Sequence, residues 1–363
     1  MNNIEAPLEI NSINGNYFAT FHSNLISLTQ SIKNIEDCYV LIDSEISRIY
    51  KELLTIFPPD RYFIVEANEK NKSLQKVGEI AEWMMSLGAT KTSHLVGIGG
   101  GVIQDLATFT SHIYYRGIKW VYVPTTLLSQ GDSCIGAKCA LNLNGHKNQL
   151  GVVHTPAAVE IFTGFLNSLP FAEIQSGFGE IAKLAVTGEH QFFDKFNNYL
   201  ETKKFTTDGI SEIIRASLAA KKFVVDQDEY ESDLRRILNY GHSFGHALES
   251  LTKNEIVHGD AVVVGMDLIN FVGLKIGITE PLFYEAMRSL FTKFYSHIKV
   301  QKNIKAEEWV NELRHDKKMQ YGNINFAIPV TVGDLRIINM KLDAALISIV
   351  GEYIEWSEFF YSA

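Results

Sequence analysis

Two histidines stand four residues apart in Asn239-Tyr240-Gly241-His242-Ser243-Phe244-Gly245-His246. On a helix that spacing puts both imidazoles on one face. His258 follows in His258-Gly259-Asp260, beyond a short loop able to fold it back, and Glu180 lies in a separate helical segment, Gly179-Glu180-Ile181-Ala182-Lys183. Two or three of these four groups suit a divalent ion, zinc foremost, with one coordination position left open. A single histidine more often caps a helix or faces solvent. Three within seventeen residues, two of them beside glycines, reverse that balance.

A second candidate is Gly97-Ile98-Gly99-Gly100-Gly101-Val102, with Asp105 one turn on. A glycine-rich turn from strand to helix lets backbone N–H groups approach a diphosphate. The spacing departs from G-x-G-x-x-G, because Val102 holds the last place, and a merely tight turn fits as well. A third feature is cationic: Arg116, Lys138, Lys147, Lys183, Lys221, Arg235 and the pair Lys317–Lys318 sit beside glycine, histidine or amide-rich segments. Most lysines lie on solvated faces, and that is the plain reading of Lys147. Arg116 and Lys138 each flank a small-residue turn. Against a net charge of −9, such a set suits a small, highly anionic substrate.

Strands and helices must hold these groups in place. Cys38–Ile42, Tyr62–Glu66, His94–Ile98 and Trp120–Pro124 read as buried strands. Between them, Ile46–Ile56, Leu74–Leu87 (closed by Gly88) and Val102–Tyr115 read as helices. The alternation implies a parallel sheet with helices on its faces. Beyond Leu169–Pro170, Gly177–Thr187, Ile210–Val225, Asn239–Leu251 and Ala261–Ile276 read as helices. Ile324–Ala327 and Asp334–Ile338 read as a late hairpin. The expected organisation is an α/β domain over residues 1–168 and a mainly helical domain over 169–363.

At 363 residues two domains are expected. With 46% hydrophobic and 21% charged residues, the composition excludes a disordered tail, a collagen-like fibre and a disulfide mini-scaffold. The acidic balance argues against general nucleic-acid binding. Cys38, Cys134 and Cys139 are too scattered for a disulfide framework or a four-cysteine zinc site and fit a reducing cytoplasm. The first fifteen residues lack the order of a secretory signal, and no apolar run reaches the ~20 residues of a membrane-spanning helix.

Taken together, several motifs resemble the 3-dehydroquinate synthases among the sugar phosphate cyclases. They are Gly99-Gly100-Gly101-Val102-Ile103-Gln104-Asp105, Tyr115-Arg116-Gly117, Val123-Pro124-Thr125-Thr126-Leu127-Leu128, Asp132-Ser133-Cys134-Ile135-Gly136-Ala137-Lys138 and His146-Lys147-Asn148. The glutamate and histidine segments above and His315-Asp316-Lys317-Lys318 complete the series, in order from about residue 40 to 330. The resemblance implies a Rossmann-like nucleotide-binding domain followed by a mainly α-helical metal-binding domain. It implies bound NAD and one divalent metal ion, zinc or cobalt, held by Glu180, His242 and His258.

The same resemblance implies that Gly99, Gly100, Gly101, Asp105, Thr125, Thr126, Asp43, Glu69, Lys72 and Lys147 bind the cofactor. Asp132, Lys138, Asn148, Lys183, Lys221, Arg235, Asn239, His246 and Lys318 would surround the substrate. Arg116 would reach it from a neighbouring subunit of a homodimer. The implied reaction turns a seven-carbon acidic sugar phosphate into 3-dehydroquinate and phosphate by transient oxidation, β-elimination, reduction and intramolecular aldol closure. Lys221 with Arg235 is the arrangement expected for a carboxylate. The alternative for that pair is exposed helix faces salted by Asp228, Glu229 or Asp233.

This sequence departs from the family's usual wording at Gln104, Thr108, Ala137, Cys139, His146 and Asp260. Specialised cyclases making an aminated dehydroquinate, a valiolone or an inosose are therefore the second reading. An NAD- and metal-dependent polyol dehydrogenase is a third, and it leaves the cations around Lys138 and Lys183 without a purpose.

Overall fold

Runs such as Cys38–Ile42, apolar along their length, are stable only where both faces of a sheet are covered. The computed structural model describes residues 6–144, 146–202, 207–253, 255–301, 303–315, 319 and 322–361. The chain divides into two compact units, residues 1–174 and 175–363.

In the first unit the strands are β1 (Leu8–Ile10), β2 (Tyr17–Phe21), β3 (Cys38–Asp43), β4 (Tyr62–Val65), β5 (His94–Gly99), β6 (Lys119–Pro124), β7 (Lys138–Leu143), β8 (His146–Val153) and β9 (Ala158–Ile161). Seven of them form one sheet in the order β1-β2-β9-β6-β5-β3-β4, parallel except for β1 against β2, while β7 and β8 make a separate antiparallel hairpin. The helices are α1 (Leu25–Lys33), α2 (Ser44–Ile49), α3 (Leu74–Ser86) and α4 (Gly101–Ile113). Val40, Ile42, Val96, Ile98, Val121 and Val123 pack on one face against Leu28, Ile32 and Ile46. On the other face α4 lies hard against β5. A Cβ on Gly97 would fall 2.8 Å from Ala107 Cβ, and one on Gly99 2.4 Å from Ile103 Cγ1.

One local expectation holds and another is refined. Gly88, at φ +79°, ends α3 as expected, with its N–H donating to Met85 O and that of Ala89 to Met84 O. The helix expected over Ile46–Ile56 stops at Ile49, and a separate 3₁₀ turn covers Lys51–Leu53. Tyr50 leaves helical geometry there because its ring packs edge-on against Phe165 and its hydroxyl reaches Gly164 O at 3.2 Å. Strands β1, β2 and β9 and the β7–β8 hairpin go beyond the expected elements.

The second unit is mainly helical, with α5 (Phe171–Thr187), α6 (His190–Thr202), α7 (Thr207–Val225), α8 (His242–Leu251), α9 (His258–Lys275), α10 (Pro281–Phe294), α11 (Ala306–Glu312) and α12 (Ala344–Trp356). Strands β10 (Val300–Gln301) and β13 (Phe360–Tyr361) pair in parallel, and the expected hairpin runs over β11 (Asn323–Thr331) and β12 (Asp334–Lys341). Helix α9 is buried from Gly259 to Gly273 and has no polar face, so it must be central. Helices α8, α10 and α12 and strand β11 pack around it. The helix expected over Asn239–Leu251 opens at His242 instead. Gly241 turns the chain at φ +78°, and a Cβ there would meet Met266 Cγ at 2.4 Å. The helix expected over Ala261–Ile276 opens three residues earlier, at His258. Among the described residues no helix is long and apolar enough to cross a membrane.

A buried polar knot locks α9 to its neighbours. Asp267 Oδ2 accepts from Tyr353 Oη at 2.7 Å and from Arg288, whose guanidinium lies 4.7 Å from the centre of the Trp356 ring. Burial pushes the Asp267 carboxyl up to about 6, against the pull of Arg288 and Tyr353. Asp267→Ala should cost about 3–5 kcal/mol in urea unfolding, because it strips the largely buried Arg288 of its partner. Asp267→Leu with Arg288→Met should recover most of that loss. A single-variant cost below about 1 kcal/mol would show that the pair is not what holds these helices.

Candidate active site

Glycine sets the spacing of the helices that carry the histidines. A Cβ on Gly259 would lie 1.8 Å from Ser176 O, and one on Gly179 2.4 Å from Gly259 O, so α5 and α9 touch backbone to backbone. Gly265 and Gly241 bring α9 against the start of α8 in the same way, a Cβ on Gly265 falling 2.0 Å from Gly241 O. Glu180, His258 and His242 each adjoin one of these contacts, which is why residues far apart in sequence meet. One ligand atom from each of His242, His246 and His258 lies within 4.8 Å of the other two. Glu180 Oε1 is 3.3 Å from His242 Nε2 and 3.0 Å from His258 Nε2.

Those distances fit a metal ion. Zinc bonds of about 2.0–2.2 Å put tetrahedral ligand atoms roughly 3.3 Å apart. The far nitrogens are also engaged: His242 Nδ1 faces Tyr240 O at 3.2 Å, and His258 Nδ1 faces Glu249 Oε2 at 3.0 Å. Burial works to raise the Glu180 carboxyl, but Lys183, His242 and His258 outweigh it and hold it well below the usual range. Burial lowers His242 despite Glu180. For His258 burial is outweighed by hydrogen bonds to Glu180 and Glu249, which carry it to about 10. Lys183 Nζ lies 2.6 Å from Glu180 Oε2, both side chains being almost wholly buried. His246 is exposed, its ring centre 5.3 Å from that of His242.

Lys221 and Arg235 are buried, so the exposed-face alternative for them does not hold. Arg235 sits on a 3₁₀ turn, Leu234–Asn239, packed against α7, which carries Lys221. Asp228 fixes this turn by accepting from the N–H groups of Ser232, Asp233 and Arg235 at 2.8, 2.8 and 2.9 Å. Burial notwithstanding, those donors hold the Asp228 carboxyl well below its ordinary value. The Arg235 guanidinium donates to Glu229 O, and Asn239 Nδ2 to Glu231 Oε1 at 2.5 Å. Asp260, in place of a glutamate, is buried against His297 Nε2 at 3.0 Å. Lys318, with Asp316 and Lys317, lies outside the described residues.

In the α/β unit the strand order reverses between β3 and β5, the kind of crevice where open α/β sheets bind ligands at their carboxyl ends. Asp43 ends β3 and caps α2, and Gly99 ends β5 beside it. Burial raises the Asp43 carboxyl. Gly100 precedes α4, whose first turn has no side-chain cap, and Thr125 N donates to Gly99 O at 3.1 Å. A Cβ on Gly101 would meet nothing within 4 Å, whereas one on Gly100 would meet Thr126 Cγ2 at 2.9 Å. This open, uncapped helix start at the crevice fits a dinucleotide's diphosphate.

A polar network lies alongside. Lys72 Nζ bridges Asp105 Oδ2 at 2.6 Å and Asn148 Oδ1 at 2.7 Å. Asn142 Nδ2 donates to Glu69 Oε2 at 2.6 Å, and Asn142 Oδ1 accepts from Asn148 N at 3.0 Å. Burial raises the Asp105 carboxyl although Lys72 opposes it. Asp132 is buried on the π-helical turn Ser129–Ser133, and Lys138 opens β7 exposed, after Ala137 at φ +60°. That left-handed backbone explains why a glycine is usual there. Gln104 is accommodated by Ser133, which accepts from its amide at 2.6 Å and donates to it at 2.6 Å; Thr108 Oγ1 donates to Gln104 O. Cys139 is buried against Asp105 O, and burial drives its thiol pKa up, so it is unreactive. His146 and Lys147 are exposed on β8.

Arg116 stands apart from this edge. It follows α4, whose 13 residues span about 20 Å from the glycine turn. Tyr115, Arg116 and Gly117 all have positive φ, and Lys91 Nζ ties the Tyr115 carbonyl at 2.8 Å and that of Gly117. Three residues of the network and the histidine cluster escape the sequence reading: Asn142, Ser133 and Glu249. Glu249 had a signal, since it lies seven residues after His242 and three after His246, on their helix face.

Comparison with known proteins agrees along most of the chain. The family model described as 3-dehydroquinate synthase N-terminal matches residues 62–176, and that described as 3-dehydroquinate synthase C-terminal matches 177–319. A 3-dehydroquinate synthase from Dictyoglomus turgidum is 36% identical over 306 residues, 84% of this chain and 85% of the relative. The fold is shared with 2-deoxy-scyllo-inosose synthase, solved with carbaglucose-6-phosphate, NAD+ and Co2+, at a TM-score of 0.84 and 23% identity over 96% of this chain and 99% of the other. It is shared too with 2-epi-5-epi-valiolone synthase from Streptomyces hygroscopicus, solved with NAD+ and Zn2+, at 0.81 and 23% over 93% and 97%. With both halves matched and a relative above 30% identity along most of its length, the chain belongs to the 3-dehydroquinate synthase family.

Proposed function

We propose that this chain is a 3-dehydroquinate synthase, a carbon–oxygen lyase that converts 3-deoxy-D-arabino-heptulosonate 7-phosphate to 3-dehydroquinate and inorganic phosphate in the cytoplasm. The observation that carries the reading is the convergence of Glu180 on His242 and His258 with Lys183 buried beside it. When bound, NAD supplies a hydride acceptor that is restored each turnover, and the metal ion supplies Lewis acidity. Glu180, His242 and His258 hold the ion. Asp43, Glu69, Lys72, Asp105, Lys147, Thr125, Thr126 and the glycines at 99–101 hold the dinucleotide.

Lys183 offers a buried cation beside Glu180, where burial strengthens its pull on developing negative charge. Lys221 and Arg235 take the substrate carboxylate. Asp132, Lys138, Asn148, Asn239, His246 and Lys318 surround the rest of the substrate. The distance of Arg116 from the cofactor edge of its own unit supports its delivery to a neighbouring subunit of a homodimer.

Release of inorganic phosphate from the acidic seven-carbon substrate tests the reading, with sedoheptulose 7-phosphate and glucose 6-phosphate beside it. Phosphate should appear with the first alone, without accumulation of NADH. NADH formed mole for mole with product would support a dehydrogenase instead. Arg235→Leu should lose about 1.5–3 kcal/mol of transition-state binding, the range for a hydrogen bond to a charged group, or roughly ten- to hundredfold in kcat/KM. NAD binding should be unchanged. Full kcat/KM in that variant, or equal turnover of sedoheptulose 7-phosphate by the wild type, would overturn the carboxylate assignment and favour a valiolone-type cyclase.

A further inference from the structure

We propose that Glu249 is a positioning residue of the metal centre: it accepts the Nδ1 proton of His258 and so leaves Nε2 as the ligand atom. The inference rests on the metal reading above. Its ground is the opposed geometry of the two ring nitrogens. His258 Nε2 faces Glu180 Oε1 at 3.0 Å, and Nδ1 faces Glu249 Oε2 at 3.0 Å. His242 is arranged alike, with Nε2 3.3 Å from Glu180 Oε1 and Nδ1 3.2 Å from Tyr240 O. Both Nε2 atoms therefore point to one place, and both Nδ1 atoms point away to an acceptor.

A neutral imidazole carries one proton, and a hydrogen bond at one nitrogen decides which nitrogen keeps its lone pair. For His242 the acceptor is a backbone carbonyl, fixed by the turn at Gly241. For His258 it is a side chain, 6% exposed, on a different helix. A buried carboxylate on an imidazole N–H both fixes the ring and makes its other nitrogen a stronger donor to a cation. Helix α8 thus contributes twice to the centre, through His242 and through the residue that aims His258.

The test is zinc affinity of chelator-stripped protein, measured by competition with a chromophoric chelator. Wild type, Glu249→Gln, Glu249→Leu and His258→Ala are compared, with far-UV circular dichroism confirming folding and ¹⁵N NMR of the zinc-loaded proteins reporting which ring nitrogen of His258 carries the proton. Glu249→Gln should bind zinc about 10–100-fold more weakly, the usual effect of losing such a partner. In its zinc-loaded form the proton on His258 Nδ1 should exchange with water faster than in wild type, because its acceptor is weaker. If the leucine variant does not fold, the nearly isosteric glutamine variant decides alone. Wild-type zinc affinity in Glu249→Gln, beside loss of binding in His258→Ala, overturns the role of Glu249 and leaves the metal site standing. Wild-type affinity in His258→Ala overturns the metal reading and the role of Glu249 with it.

Discussion

Gly259→Ala, a change of one methyl group, is expected to destabilise the helical unit and to weaken its hold on metal at the same time. The new Cβ would stand 1.8 Å from Ser176 O and 2.5 Å from Ser176 C. Backbone atoms cannot rotate away as a side chain would, so α5 and α9 must move apart. That also stretches the bond from Gly259 N to Ser176 Oγ, now 3.0 Å. Overpacking of this kind costs about 1–3 kcal/mol, occasionally more, and contact with backbone places it at the upper end. Glu180 and His258 flank the contact, so zinc affinity should fall at least about tenfold, in line with a 1.4 kcal/mol loss. Gly78→Ala is the control: it lies exposed in α3 with nothing near its Cβ and should gain about 0.5–1 kcal/mol. An unchanged urea midpoint and zinc affinity in Gly259→Ala would mean that the helices are not spaced by this contact.

Glu180→Ala should have the largest effect on activity. It removes the carboxylate on which both imidazoles converge and the counter-charge 2.6 Å from buried Lys183. A metal ion contributes several kcal/mol of transition-state stabilisation, and each 1.36 kcal/mol is tenfold in rate. The expected loss in kcat/KM is therefore roughly 10²–10⁴-fold, with metal content falling in parallel. Stability should drop by about 3–5 kcal/mol, as when one partner of a buried pair is removed. Chelator-treated wild type should lose activity, keep its helical spectrum and recover on addition of zinc or cobalt. Wild-type metal content in Glu180→Ala would remove this residue from the proposed ligand set.

Much of this centre could be read from residue spacing. The spacing of His242 and His246, four apart, and a glycine beside His258 are enough to bring three imidazoles together. The true start of α8 was not readable, because helical periodicity continues through Asn239–Gly241. Contact of Gly241 with Met266, 25 residues on, forces the turn. The buried strands β3, β5 and β6 announced themselves by apolar runs. Strand β2 did not, since Tyr17 and Ala19 alternate with an exposed Phe18. The β7–β8 hairpin is polar, and its place is set by Asp105 accepting from Ala140 N at 3.1 Å, a long-range bond that composition cannot reveal. The pairing of Lys72 with Asp105 is hidden for the same reason. Burial of Arg235 follows from the Asp228 turn rather than from any pattern around the arginine.

The backbone contact between Ser176 and Gly259 also has a temporal meaning. Its partners are separated by 83 residues, and closing a loop of that size precedes any gain from the contact. As the chain is made, Glu180 and His242 emerge first and lack His258 until α9 has been synthesised and packed. The cluster is thus finished late in biogenesis, by a helix whose burial is driven by apolar residues. Metal capture is then expected to follow assembly, the reverse of small zinc modules in which the ion itself drives the chain to fold.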